Sequence, residues 1–242
     1  MAATQFTEDT FFDGRIRVKQ NARGYRFSID AVILAWHIFP AANARIVDIG
    51  TGCGIIPLIL AYRHRAVTID ALEIQPQLAA LAIENVIGNH LEHRITVCCE
   101  DINQAAAKMP IGKYDLVVCN PPFRKSSTGR INPDPERAIA RHEIAMTLAE
   151  ATAAAGRLLR TYGEFAAVYP ASRLVDMVAR MRLDSIEPKM IRMIHSRTGD
   201  PAKLFIIKGG KKSRPGITIP PPLIIYHDDG TYTPEAQKMF AP

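Results

Sequence analysis

Three glycines in five residues, Gly50-Thr51-Gly52-Cys53-Gly54, separate an apolar run, Arg45–Ile49, from a helical one, Ile55–Arg63. No other feature constrains the fold as much. Glycine admits positive φ and lets a ligand approach the backbone closely, so the junction reads as a buried strand turning into a helix. Pro57 is tolerated in the first helical turn, where an amide proton lacks a partner anyway. The same alternation continues along the chain. Residues 67–74 read as a second strand. Pro76–Gly88 reads as a helix with proline at its start and glycine near its end. Ile95–Cys99 and 116–119 follow as strands, 138–162 as an alanine-rich helix, 163–169 as a fifth strand and 172–182 as a helix. Residues 185–195 and 203–208 suit a strand pair near a sheet edge. The three prolines within 217–223 require an extended segment. Residues 223–226 form a short apolar strand and 233–240 a terminal helical turn or two. Ahead of the glycine loop, 29–39 reads as a helix with the stripe Val32, Ile33, Trp36.

Alternating strands and helices imply an α/β fold with a doubly wound, mostly parallel sheet. A length of 242 residues fits one domain. Its expected parts are an N-terminal segment and helix (1–40), a core (41–210) and a C-terminal extension (211–242). The four cysteines make no Cys-x-x-Cys pair and read as small residues of a reducing compartment rather than metal ligands or disulfides. The longest apolar runs are too short to span a bilayer and no leader is evident. The expectation is therefore a cytoplasmic protein with no membrane partner and no metal, acting as a monomer. Net charge is +6, which is compatible with a polyanionic partner. Arg124, Lys125, Arg130, Arg137 and Arg141 form one basic set, and Lys203, Lys208, Lys211, Lys212 and Arg214 a second.

Ligands of doubly wound sheets bind beyond the carboxyl ends of the strands. Four elements fall at such ends: Gly50 to Gly54, Glu73, Asp101 and Asn120. Asp48-x-Gly50-x-Gly52-x-Gly54 differs from a dinucleotide fingerprint, because Ile55 stands where Gly-x-Gly-x-x-Gly needs its third glycine. The spacing suits a loop wrapping a nucleoside with an amino-acid tail. Glu73 can accept both ribose hydroxyls. Asp101 can accept from an adenine amine, with Ile102 packing on the ring, and also suits a helix N-cap. The tetrapeptide Asn120-Pro121-Pro122-Phe123 ends an apolar strand. Two prolines fix φ and remove amide donors, which frees carbonyl oxygens to accept. Asn120 Oδ1 and the Pro121 carbonyl can take the two protons of a planar NH2, and Phe123 can stack on the group that carries it. With a sulfonium methyl donor alongside, positioning the methyl about 3–3.5 Å from that nitrogen supplies most of the acceleration. Residues 124–136 read as a mobile loop.

These motifs resemble the Rossmann-like class I S-adenosyl-L-methionine-dependent methyltransferases of the Asn-Pro-Pro-aromatic branch. Three further stretches, Gln20 to Ala31, Ala140-Arg141-His142-Glu143 and Asp228 to Thr233, resemble the bacterial tRNA(Val) adenosine-37 N6-methyltransferase family. The resemblance implies a seven-stranded methyltransferase sheet with a short N-terminal extension. It implies S-adenosyl-L-methionine contacts from Asp30, Asp48, Gly50, Gly52, Gly54, Glu73, Asp101, Ile102 and Asn120, with Asp30 near the donor's amino-acid end. Catalysis would fall to Asn120, Pro121, Pro122 and Phe123. Arg124, Lys125, Arg141 and His142 would lie near an RNA substrate, a tRNA in this family. A flipped or single-stranded base suits such a rim. Alternatives from the same chemistry are guanine-N2 methylation in ribosomal RNA, whose enzymes also carry Phe at the fourth position, and glutamine-N5 methylation of a release factor. Release-factor enzymes bring an N-terminal helical domain, for which fewer than fifty residues ahead of the loop leave little room. A non-enzymatic RNA-binding role would show as absence of donor binding.

Overall fold

A computed structural model describes residues 6–22, 26–121 and 146–241. An antiparallel hairpin, β1 (Phe6–Phe11) and β2 (Ile16–Asn21), comes first. Then follow α1 (Ile29–Trp36), β3 (Arg45–Ile49), α2 (Ile55–Arg63), β4 (Thr68–Glu73), α3 (Pro76–Gly88), β5 (Ile95–Cys99), α4 (Ile102–Lys108) and β6 (Tyr114–Cys119). After residue 145 come α5 (Leu148–Leu158), β7 (Leu159–Pro170), α6 (Leu174–Leu183), β8 (Ile186–His195), β9 (Leu204–Lys211), β10 (Leu223–Ile224) and α7 (Pro234–Lys238).

The sheet runs β10-β8-β9-β7-β6-β3-β4-β5. Only β9 is antiparallel to its neighbours. Seven strands match the expected methyltransferase sheet, and the two-residue β10 joins β8 as an eighth. Both faces are covered. Ile46, Leu116 and Val118 pack into a core with residues of α1, α2 and α3. Val47, Ile49, Val117 and Cys119 pack into a second with α4, α5 and α6. Burial on both faces explains why β3 and β6 read as continuous apolar runs rather than alternating ones.

Two elements differ from the sequence expectation. The alanine-rich helix stops at Leu158 because Leu159 pairs with Tyr114 and opens β7. Tyr162 then takes φ of 65°, and the ladder shifts register between Tyr114 and Leu116. A helix carried through 162 would lose that pairing. The polar N-terminus forms the β1–β2 hairpin, which has no strand partner in the large sheet. Its place is taken by two asparagine side chains one helical turn apart, Asn85 on α3 and Asn89 at its C-cap. Asn89 Oδ1 accepts from Arg17 N at 2.9 Å and Asn89 Nδ2 donates to Arg17 O at 2.7 Å. Asn85 repeats the exchange with Lys19, at 2.8 Å in both directions. Residues 17 and 19 lie on one edge of β2, so spacing of i, i+4 on the helix meets i, i+2 on the strand.

Among the described residues no helix is long and apolar enough to cross a membrane, and no three His, Cys, Asp or Glu side chains gather as metal ligands. All four cysteines are free. Burial pushes the Cys53 thiol up to about 12 and raises Cys119 as well. The sequence reading of all four as small buried residues holds for Cys53 and Cys119, while Cys98 is half-buried and Cys99 exposed.

Candidate active site

Strand order reverses at β3: β4 and β5 lie to one side, β6 and β7 to the other. A crevice opens at such a switch point. Register shows what borders it. Ile49 pairs with both Leu72 and Cys119, and Leu72 pairs with Cys98. One residue further along each strand stand Gly50, Glu73 and Asn120. Adjacent strands are about 4.8 Å apart, so the Asn120 and Glu73 backbones lie about 10 Å from each other, on either side of Gly50.

The glycine loop is anchored to β4. The amides of Gly50 and Thr51 both donate to Leu72 O at 2.9 Å, and Gly54 N donates to Thr51 O at 3.0 Å. Gly50, Gly52 and Gly54 all have positive φ, at 73°, 59° and 86°, where a side chain would be strained. Gly54 is the N-cap of α2 and supplies no side-chain cap. Pro57 carries no amide proton and the Ile55 amide bonds the Cys53 sulfur, so the loop meets a ligand through its glycine backbone rather than through a row of free α2 amides.

Glu73 is buried, not an exposed strand end. Its Oε2 accepts from Gly52 N at 2.8 Å and its Oε1 from Gln75 N at 2.9 Å. Burial raises its pKa, against the pull of those amides. Each carboxylate oxygen keeps a second lone pair for a ligand hydroxyl. Glu73→Gln is consequently not conservative. One carboxylate oxygen becomes an NH2 facing a backbone N–H, so about 1.5–3 kcal/mol of charged hydrogen bonding is lost. Calorimetry should show donor affinity at least about tenfold weaker; unchanged affinity would remove Glu73 from the site.

Asp48 is wholly buried, and neither oxygen makes a hydrogen bond; the Thr51 hydroxyl beside it is equally unpartnered. Desolvation pushes the carboxyl up to about 7; the Glu73 charge adds to this and Thr51 opposes it. Buried polar groups almost always have partners, so this pair is short of a donor. Asp30, in the first turn of α1, is also buried, and burial raises its pKa. α1 packs against α2, which places Asp30 on the glycine-loop side of the sheet. No hydrogen bond joins Asp30 to that loop. Asp101 is the N-cap of α4: Oδ1 accepts from Asn103 N at 2.9 Å and Gln104 N at 3.4 Å. Oδ2 makes no hydrogen bond, so cap and ligand acceptor are compatible. Ile102 is buried beside it.

Asn120 is half-buried at the end of β6, whose Leu116, Val117, Val118 and Cys119 are fully buried. Pro121 is buried. Among the described residues, neither the Asn120 side chain nor the Pro121 carbonyl accepts a hydrogen bond. Pro122, Phe123, Arg124, Lys125, Arg130, Arg137, Arg141 and His142 lie outside the described residues.

Two residues border the site without a motif to announce them. Met146 Cε stands 3.7 Å from where a Cβ on Gly50 would be, so the chain returns across the loop before α5. Thr147 and Glu150 then form a capping box, and Glu150 accepts from Asn103 at 3.1 Å, tying α5 to α4. Asn85 donates to Cys53 O at 2.9 Å as well as to Lys19 O. One buried amide thus holds both the N-terminal hairpin and the glycine loop. Asn85→Leu strands two backbone carbonyls and an amide, at about 1–3 kcal/mol for each buried group left unsatisfied. Chemical denaturation should show that loss, together with a raised KM for donor. An unchanged KM would limit Asn85 to holding the hairpin.

An orphaned carboxylate, a positive-φ loop and spare acceptor lone pairs on Glu73 and Asp101 suit a nucleoside with a zwitterionic amino-acid tail, as S-adenosyl-L-methionine has. Comparison with known proteins points the same way. Residues 27–173 match the methyltransferase small domain. A Porphyromonas gingivalis protein named tRNA1(Val) (adenine(37)-N6)-methyltransferase is 32% identical over 97% of this chain and 94% of its own. The protein of that name from Aeromonas hydrophila is 32% identical over 88% and 87%. In structure the chain is similar to a predicted O-methyltransferase of Agrobacterium tumefaciens, with TM-score 0.72 at 20% identity over 87% of this chain and 94% of that one. It is also similar to a SAM-dependent methyltransferase of Aquifex aeolicus, with TM-score 0.55 at 13% identity over 75% and 89%. By its sheet, its glycine loop and these relatives, the chain belongs to the methyltransferase small domain family, among the tRNA1(Val) (adenine(37)-N6)-methyltransferases.

Proposed function

We propose that this protein methylates N6 of adenosine 37 in the anticodon loop of a valine tRNA, with S-adenosyl-L-methionine as donor. The observation that carries the reading is the row Asn120, Gly50, Glu73 at the switch point, with no described residue donating to the acceptors of the Asn-Pro corner. When bound, the donor supplies an electrophilic methyl on a sulfonium, and transfer neutralises that charge. The Gly50, Gly52 and Gly54 backbone lines the donor. Glu73 accepts from its ribose, Asp101 from its adenine amine, and Ile102 packs against that ring. Asp48 and Asp30 serve its amino-acid end.

An exocyclic amine is a poor nucleophile because its lone pair is delocalised into the base. Asn120 Oδ1 and the Pro121 carbonyl accept its two protons and so favour a pyramidal nitrogen with a localised lone pair. The surplus proton leaves to water after transfer. Pro122 holds the corner rigid and Phe123 covers the target base, while Arg124, Lys125, Arg141 and His142 meet the RNA backbone. The names of the relatives support adenine over guanine. The test is mass spectrometry of nucleosides after the purified enzyme and donor meet unmodified tRNA and ribosomal RNA separately. N6-methyladenosine in tRNA is expected; N2-methylguanosine in ribosomal RNA would replace this reading with its rival.

A further inference from the structure

At the opposite end of the sheet, where β4 and β5 begin, an open cleft of about 480 Å³ is lined by Arg15, Arg65, His93 and Arg94, with Tyr62 among its other walls. None of its lining residues is acidic. Elsewhere Arg26, Arg160, Arg173, Arg182 and Arg192 each lie within 4.0 Å of a carboxylate. Among the described residues, Arg15, Arg65 and Arg94 have none.

Two of these cations are fixed in place. Arg94 Nη1 donates to the carbonyls of Ala61 at 2.8 Å, His64 at 3.3 Å and Arg65 at 3.0 Å, at the C-terminal end of α2. Its remaining nitrogens stay available. Arg15 Nη1 donates to Tyr62 Oη at 3.2 Å. The like charge of Arg65 adds to burial in lowering the Arg94 pKa. The cluster therefore stands without a counter-ion of its own.

We propose that this cleft is a second anchor for the substrate RNA, taking phosphodiester groups remote from the target base; this rests on the RNA reading above. A lone phosphate favours an enclosed nest of backbone amides. Here long cationic side chains stand along an open edge, which is how proteins contact the phosphates of a nucleic-acid backbone. The six residues of β4 separate cleft from donor loop by about 20 Å. An RNA seated at the rim by its loop continues as a stem, and a stem laid along the α3 flank brings its phosphates here.

The test compares wild type with Arg15→Ala/Arg65→Ala, binding full-length tRNA transcript and, separately, a single-stranded oligonucleotide just long enough to fill the rim. Both are titrated across salt concentrations without donor. Arg94 is left intact because it caps α2. Loss of two phosphate contacts should make the log-affinity versus log-salt slope for tRNA shallower by roughly 1.4–1.8, with the oligonucleotide curve and the melting temperature unchanged. Arg15→Lys/Arg65→Lys should restore most of the slope. A wild-type slope in the alanine variant overturns the proposal, and so does an equal loss for the oligonucleotide. If inorganic phosphate titrated into the protein shifts the cleft's NMR resonances while the tRNA slopes stay equal, the site takes a free anion and the RNA anchor is wrong. If the wild type methylates no tRNA yet the slopes differ as expected, the anchor stands and the assigned reaction fails.

Discussion

Replacing Asn120 with alanine should reduce kcat by about 10²–10³-fold, the range seen when one preorganised polar group at a reacting centre is removed. Donor affinity should stay within a few-fold. Asn120 follows the β6 rung Val117-Val118-Cys119, which is buried on both faces, and it accepts no hydrogen bond among the described residues. Truncation therefore removes an acceptor without stranding a protein donor, and the fold should tolerate it. The loss belongs in kcat because the amine's protons are taken most strongly as the nitrogen pyramidalises, so the interaction strengthens toward the transition state. Single-turnover kinetics with saturating tRNA separate this from slow product release. Undiminished turnover would take the Asn-Pro corner out of the chemistry. An equal rise in the donor's Kd would make Asn120 a binding residue instead.

Asp48 gives the second large effect, through pH. Its folded-state pKa, about 7, stands above the ordinary aspartate value of 3.8 because burial penalises the charge. Between those values the unfolded chain releases a proton that the folded chain keeps. The stability contribution is fully present below pH 4, declines as pH rises toward 7, and is lost above it. About three pKa units correspond to a swing on the order of 4 kcal/mol. Asp48→Asn should flatten that part of the stability profile measured by urea denaturation without donor. Donor affinity should move the other way. An ammonium from the donor's amino-acid end favours the ionised carboxylate, so binding should tighten as pH rises through 7. In the Asn variant it should be weak and flat, at least about tenfold weaker above neutrality, since a buried charge pair broken on one side is costly. Identical pH profiles for both proteins would show that Asp48 does not titrate in this range.

What the sequence made legible follows from how local each signal is. The glycine loop, the strand-end carboxylates and the Asn-Pro corner are short motifs at strand ends, and strand register then aligns them. The end of α5 was not legible: residues 159–162 continue an alanine-rich helical run, and only pairing of Leu159 with Tyr114 draws them into β7. The hairpin was missed because its partner is a pair of asparagine side chains, one on α3 and one at its C-cap, sixty-six and seventy-two positions away. Asn85 and Asn89, spaced i, i+4 at the end of α3, were the available clue. Glu73 was read as a ligand acceptor, but its hold on Gly52 N depends on a loop conformation that spacing does not reveal. Met146 reaches Gly50 across ninety-six positions, and no motif marks it.

The central claim is that the donor lies in the crevice between Gly50 and Asn120 with its reactive end toward the Asn-Pro corner. Crystals grown with S-adenosylhomocysteine, the thioether left after transfer, test it directly. The account predicts ribose oxygens on the Glu73 carboxylate, the adenine between Asp101 and Ile102, and the sulfur facing Asn120. Density for the thioether elsewhere, or an Asn120 side chain turned to pair with a protein amide, would contradict it.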